Sequence, residues 1–163
     1  MNKDNTPELF SVIAKNYDFL NHLLSFNLDR AWRRRLVSLS RFRPGDKILD
    51  VCTGTGDIAI EFARCGAHDV TGIDLSAGML ARAQQKIEKL DLTTRIKLET
   101  GSALSIPYAD KTFDLVTIGF GLRNLPDYAR GISEMARLLK PSGRLLILEF
   151  SLPPDKLTYG FYS

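Results

Sequence analysis

The sequence predicts an α/β domain with a parallel, doubly wound sheet behind a helical N-terminal segment. Three observations predict it. From Lys47 onward, short apolar runs alternate with stretches whose apolar residues recur every three or four positions, which is the pattern of right-handed βαβ units. The first of those runs leads into a glycine turn, Gly54-Thr55-Gly56, followed at once by a helical pattern. The 163 residues are 44% apolar and 25% charged, the composition of one soluble domain long enough to bury a core. Disorder, a collagen-like chain and a coiled-coil rod are excluded on the same grounds.

The elements follow in order. Thr6-Pro7-Glu8 supplies an N-cap, a proline at the first helical position and an acid in the first turn. Phe10, Ile13, Tyr17, Leu20 and Leu24 then form one apolar stripe. Residues 25–28 interrupt it, and Asp29 is placed to cap a second helix with Ala31, Trp32, Leu36 and Leu39 on one side. Arg43-Pro44-Gly45 is a turn, so residues 1–44 read as a helical substrate or lid segment and 45–163 as an α/β domain. Strands are expected at Lys47–Val51, Asp69–Asp74, Arg95–Thr100, Phe113–Gly119 and Arg144–Phe150, and helices at Asp57–Arg64, Ala77–Leu90 and Asp127–Leu139. Gly66 is placed to end the first of these helices and Ser76 to cap the second. Pro141-Ser142-Gly143 reads as a tight turn into the last strand, and the tail from Ser151 to Ser163 leaves that strand near a sheet edge with nothing after it.

The charge is unevenly spread. Residues 1–44 hold eight basic and four acidic side chains, while the remainder is nearly balanced, with fourteen basic and fifteen acidic. The excess centres on Arg30, Arg33, Arg34 and Arg35, which suits a solvated helix face, an anionic membrane surface or nucleic acid. No apolar run is long enough to span a bilayer, and Met1 to Leu9 carry no signal-peptide core. A cytoplasmic protein is expected, with peripheral contact at the inner face of the membrane compatible with the arginines. Cys52, Cys65, His22 and His68 have no metal-ligand spacing.

The chemistry begins at the glycine turn. Glycines there let the backbone turn sharply and approach a ligand closely. Asp74 ends the second strand, 18 residues after Gly56, where an acid accepts hydrogen bonds from both ribose hydroxyls of an adenosine cofactor. Gly54 to Ala59 also fits the G-x-G-x-x-A variant of the dinucleotide fingerprint, so the glycines alone do not choose between cofactors. Asp50 favours one of them. A carboxylate at the end of the first strand repels a pyrophosphate and suits a ligand with a cationic end, such as the amino group and sulfonium of S-adenosylmethionine. Its bland alternative is a buried, hydrogen-bonded carboxylate. Ser102 and Ala103, after the third strand, stand where such folds contact adenine, although a serine there is also an ordinary turn residue.

The fourth strand leads into Phe120-Gly121-Leu122-Arg123-Asn124. Loops at the carboxyl ends of such strands face the ligand, so this segment is expected at the reacting end of the cofactor. It lacks the Asn/Asp-Pro-Pro-Tyr of enzymes that methylate exocyclic amines, and no Cys follows as cytosine-C5 chemistry requires. Nucleic acid is therefore not expected as a partner.

Taken together, Tyr17-Asp18-Phe19-Leu20-Asn21, Trp32-Arg33, Leu49–Asp57, the Phe113–Asp127 block with Gly119-Phe120-Gly121-Leu122-Arg123-Asn124, and Leu148-Glu149-Phe150-Ser151 resemble the ubiquinone/menaquinone biosynthesis C-methyltransferases. These are class I S-adenosylmethionine-dependent enzymes with a Rossmann-like sheet. The resemblance implies S-adenosylmethionine as cofactor, contacted by Thr55, Asp74 and the Ser102-Ala103 pair; Asp50, Gly54, Gly56, Leu75 and Gly119 complete the expected cofactor-binding set. It places Arg123 and Asn124 beside the transferred methyl group; Tyr17, in the N-terminal helix, is a candidate lid residue. Ser102 stands where the family usually has Asn. Family members continue for several tens of residues beyond this chain's end, with closing strands that this sequence lacks. The implied substrate is a polyprenylated hydroquinone, either demethylmenaquinol or the methoxy-benzoquinol precursor of ubiquinol, and a homo-oligomer is compatible with it. Three other readings stay open. One is a nicotinamide oxidoreductase, which Asp50 and the lack of Tyr-x-x-x-Lys oppose. The others are methylation of another small molecule, and a truncated chain that binds cofactor without catalysis.

Overall fold

Apolar strand cores and well-defined helix caps produce the elements seen in a computed structural model of the chain, which describes residues 28–149. Helix α1 spans Leu28–Ser40. Strand β1 (Lys47–Val51) leads through the glycine turn into α2 (Asp57–Arg64). Strand β2 (Asp69–Asp74), helix α3 (Ala77–Lys89) and strand β3 (Ile96–Thr100) follow. Strand β4 (Phe113–Gly119) runs into a 3-10 turn at Leu122–Asn124, then α4 (Tyr128–Leu138) and β5 (Leu139–Leu148). The five strands form one sheet in the order β3-β2-β1-β4-β5, and every neighbouring pair is parallel. The expected doubly wound α/β architecture is present. The stripe from Phe10 to Leu24, and Tyr17 with it, lies outside the described residues.

Alternation along β1 divides the core into two layers, because successive side chains of a strand point to opposite faces. Ile48 joins Ile58, Phe62 and Ala63 of α2, Ala83 and Ile87 of α3, and Leu36 and Val37 of α1. Leu49 and Val51 face Val116 and Ile118 of β4 and Met135 and Leu138 of α4. Among the described residues, α1 thus contributes to the same core as the sheet.

The caps explain why the helices stop where they do. Gly66, at φ +101°, closes α2: its amide donates to the Ala63 carbonyl and the Ala67 amide to that of Phe62, the paired bonds of a Schellman ending. The Ser76 hydroxyl accepts from the Met79 amide at 3.3 Å, and an Asp127 carboxylate oxygen accepts from the Arg130 amide at 2.9 Å, each an N-cap that satisfies an orphan donor.

One boundary departs from expectation. Strand β5 begins at Leu139 rather than Arg144, directly at the end of α4. Phe113 pairs with Leu139 and Leu115 with Arg144, so residues 140–143 form a bulge inside the strand and not a separate turn. Pro141 has no amide proton to give the ladder, which confines it to such a place. A Cβ on Gly143 would stand 3.0 Å from the Lys140 carbonyl oxygen. Asp114 holds the bulge from the neighbouring strand, accepting from Lys140 Nζ at 2.7 Å and from the Lys47 amide at 2.9 Å.

Gly119 illustrates how tightly β4 and α2 meet: a Cβ there would clash with Ile58 Cδ1. Gly119→Ala is expected to lower stability by about 1–3 kcal/mol in urea unfolding. Adding Ile58→Val, which removes that methyl, is expected to recover part of the loss; an equal loss in the double variant would contradict the packing described.

Candidate functional site

The site sits at the carboxyl ends of the strands, around the reversal of strand order between β1 and β4, where open α/β sheets bind ligands. Two non-glycine residues flank that reversal in left-handed conformation, Cys52 at φ +54° and Phe120 at φ +58°. Such a backbone is costly for an aromatic residue and marks a place the surrounding structure holds in strain. Gly121 permits the close approach, since a Cβ on it would stand 2.6 Å from Cys52 Cβ. Burial pushes the Cys52 thiol up to about 12, with Asp74 and Asp50 adding to the shift, so it is no nucleophile at neutral pH.

Asp50 is 1% exposed. Its carboxylate accepts from the Thr53 hydroxyl at 2.7 Å and from the Thr117 hydroxyl at 2.9 Å. Thr117 is its direct partner across β4, and Gly72 is its partner across β2. Burial drives the carboxyl up to about 6; the two hydroxyls and the Arg33 charge oppose the shift, while Asp74 adds to it. The sequence reading pointed this carboxylate toward a cationic ligand end. The structure turns both oxygens onto hydroxyls of the turn and of β4, so Asp50 shapes the turn.

Gly54 has φ +56° and only open space where a Cβ would stand. Gly56, at φ +80°, lies against α3, where a Cβ would meet Ala83 Cβ at 3.1 Å. One glycine thus leaves room and the other permits packing. The Asp74 carboxylate accepts from the Gly54 amide at 2.8 Å and from the Ser76 amide at 2.9 Å. Burial raises its pKa, and those backbone bonds oppose the rise. The Leu75 amide adds a third backbone bond to this carboxylate, which leaves part of its capacity of about four acceptor positions for a ligand hydroxyl. Leu75 is 53% exposed beside it, an apolar face open to a planar ring.

The other expected contacts are placed less directly. The Thr55 side chain is buried, and its hydroxyl accepts from Lys86 Nζ at 3.1 Å. Ser102 Oγ accepts from the Leu104 amide at 3.2 Å within its own loop. Ala103 packs its methyl into the core, and Gly119 makes room for Ile58. The open cradle at Gly54, the anchored Asp74 carboxylate and exposed Leu75 fit the adenosine part of S-adenosylmethionine.

Across the strand reversal, Arg123 and Asn124 share the 3-10 turn after β4. Arg123 donates to Glu149 twice, from its guanidinium at 2.9 Å and from its amide at 3.3 Å. Asn124 Nδ2 donates to the Phe120 carbonyl at 3.4 Å. Phe120 packs between neighbours, its ring centroid 6.2 Å from that of Trp32 and 6.0 Å from Arg123 Cζ. Glu149 had no role in the sequence reading; its only signal was its place in Leu148-Glu149-Phe150-Ser151.

The arginine cluster also divides. Arg30, Arg34 and Arg35 are exposed, whereas the Arg33 side chain is 13% exposed, lying 2.6 Å from Asp29 and 3.1 Å from Asp57. The single basic face expected from sequence is corrected to three outward arginines and one inward. Two carboxylates at ion-pair distance draw Arg33 inside.

The chain matches the ubiE/COQ5 methyltransferase family over residues 1–163. It is 49% identical to a ubiquinone/menaquinone biosynthesis C-methyltransferase of Geobacter sulfurreducens, a match covering 96% of this chain and 62% of that protein. It is 43% identical to a demethylmenaquinone methyltransferase of Bacillus mycoides, over 93% of this chain and 64% of that one. The chain therefore spans less than two thirds of the length of these two relatives. In fold it resembles a SAM-dependent methyltransferase from Aquifex aeolicus, with a TM-score of 0.67 at 23% identity, covering 76% of this chain and 66% of the other.

Asp50 makes stability depend on pH. Its folded pKa lies above the unfolded value, from 3.8 to about 6, so its favourable contribution is full below the unfolded pKa and lost as pH rises through the folded one. Relative to wild type, Asp50→Asn is expected to gain stability as pH rises across that window, by about 3 kcal/mol at most. Urea unfolding of both proteins at several pH values checks it; a pH-independent difference would show that Asp50 titrates normally.

Proposed function

The chain belongs to the ubiE/COQ5 methyltransferase family, and from that premise we propose that it methylates a ring carbon of a polyprenylated hydroquinone, with S-adenosylmethionine as methyl donor. The observation that carries the reading is the pairing of two half-sites at one sheet edge. The Asp74 carboxylate and the open turn at Gly54 form one half, and Arg123 and Asn124 form the other.

When bound, S-adenosylmethionine supplies an electrophilic methyl group on a sulfonium. Asp74 would hold the ribose hydroxyls, and Leu75 and the loop of Ser102 and Ala103 would border the adenine. The ring carbon of a hydroquinone becomes nucleophilic as the adjacent hydroxyl loses its proton; once the methyl group has left sulfur for that carbon, the carbon's own hydrogen departs as a proton and the aromatic ring is restored. Arg123 stabilises the resulting phenolate electrostatically, as an oxyanion donor does. A permanently charged guanidinium cannot be the base. The Asn124 carboxamide orients the hydroxyl or a water that takes the proton, and Glu149, paired to Arg123, is a carboxylate within the same cluster toward which that water relays it. Alignment of ring carbon and methyl group supplies much of the rate, up to ~7–11 kcal/mol in favourable cases. Tyr17 is assigned as the lid residue that excludes water. Among the described residues no helix is long and apolar enough to cross a membrane; exposed Arg30, Arg34 and Arg35 suit a peripheral visit to an anionic surface, each contributing about 1 kcal/mol near it.

Calorimetric titration with S-adenosylhomocysteine, with NAD as control, tests the cofactor assignment. Saturable micromolar binding of the former alone is expected, and tight NAD binding would overturn the reading. Asp74→Ala is expected to weaken that binding by roughly 1.5–3 kcal/mol, the cost of losing a charged hydrogen-bonding partner. Arg123→Ala is expected to lower the rate of quinol methylation while leaving affinity for S-adenosylhomocysteine within about twofold. A normal rate in that variant would remove Arg123 from the chemistry.

A further inference from the structure

We infer that Arg33 is a positioning residue of the cofactor turn, and that through it the docking of α1 and the binding of cofactor strengthen one another; this rests on the S-adenosylmethionine reading above. Arg33 lies on α1, outside the strand-to-helix turn that receives the cofactor. Its guanidinium nevertheless reaches Asp57, the first residue of α2 after Gly56, at 3.1 Å, while remaining 2.6 Å from Asp29 one helical turn earlier. The other oxygen of Asp57 is engaged by Lys86 Nζ from α3, and that same ammonium donates to the Thr55 hydroxyl at 3.1 Å. A continuous chain of charged contacts therefore runs from α1 through Asp57 and Lys86 to the middle of the glycine turn.

Three properties make this more than a surface ion pair. The partners are largely withdrawn from water, with side-chain exposures of 13% for Arg33, 5% for Asp29 and 22% for Asp57, so their attraction is little screened. A single guanidinium nitrogen, Nη1 of Arg33, bridges two carboxylates from different helices. The preceding residue, Trp32, reaches the opposite half of the site, its ring centroid 6.2 Å from that of Phe120. Adjacent residues of one helix thus touch the cofactor turn and the loop that carries Arg123.

An element that contacts both halves couples them. If a docked α1 holds Asp57, and with it the turn, in its binding geometry, then by reciprocity a bound cofactor holds α1 in place. Trp32 is carried against Phe120 by the same docking, so cofactor binding also favours assembly of the acceptor side.

Hydrogen exchange of residues 28–40 in the full chain, with and without saturating S-adenosylhomocysteine, tests the coupling alongside calorimetric titration. The ligand is expected to slow exchange across α1 in wild type. Arg33→Ala is expected to abolish that slowing and to weaken binding roughly 5- to 20-fold, with Arg33→Lys recovering part of both. Circular dichroism establishes that each variant is folded. Should Arg33→Ala unfold, the wild type and Arg33→Lys still decide the question. Ligand binding that leaves α1 exchange unchanged would overturn the inference, as would wild-type affinity in folded Arg33→Ala. A wild-type chain that binds no S-adenosylhomocysteine would instead overturn the cofactor reading itself.

Discussion

The site depends first on a carboxylate that has no access to water. Asp50 lies in the central strand of the sheet and is 1% exposed, and a buried charge must find donors or neutralise. Its donors come from two different places, Thr53 in the turn and Thr117 in the adjacent strand. Satisfying them fixes the path of the turn as it leaves β1 and locks β4 in register beside it. Gly72 matters for the same reason: a Cβ there would come within 2.9 Å of the Thr53 hydroxyl oxygen and would push it off Asp50. The cradle at Gly54 is thus built from beneath, by buried polar groups.

A second layer of charge surrounds that centre. Arg33 is close enough to Asp50 to oppose its rise in pKa while bridging Asp29 and Asp57. Across the strand reversal, Phe120 is stitched to β5 by its amide, which donates to the Leu148 carbonyl at 2.7 Å. The next residue, Glu149, holds Arg123 by side chain and backbone. Each half of the site is therefore braced by an element remote in sequence, α1 for one and the end of β5 for the other.

That arrangement explains what was legible in the sequence. Strands β1, β2 and β4 and helix α2 fall on the residues expected, because apolar runs and glycine endings are local signals. The start of β5 was misplaced because Pro141 and Gly143 signal a turn whether it joins two elements or interrupts one. The position of Asp74 was readable, since its spacing from the glycines is set within one βαβ unit. The roles of Asp50, Arg33 and Glu149 were not. Asp50 meets Thr117 across 67 positions and Glu149 meets Arg123 across 26, and no periodicity reports such pairs. Arg33 among three neighbouring arginines carries no mark that it alone points inward.

The bulge in β5 has a consequence for how the chain tolerates change in length. Helix α4 ends at Leu138 and β5 starts at Leu139, leaving no loop between them to absorb an added or deleted residue. Residues 140–143, lying outside the ladder between Leu139 and Arg144, are the slack in this connection. A length change there is taken up before the paired stretch begins. The same change between Arg144 and Leu148 would reverse the facing of every later side chain and swing Glu149 away from Arg123. The placement of Glu149 against Arg123 is thus counted from Arg144, where the regular pairing of β5 with β4 begins.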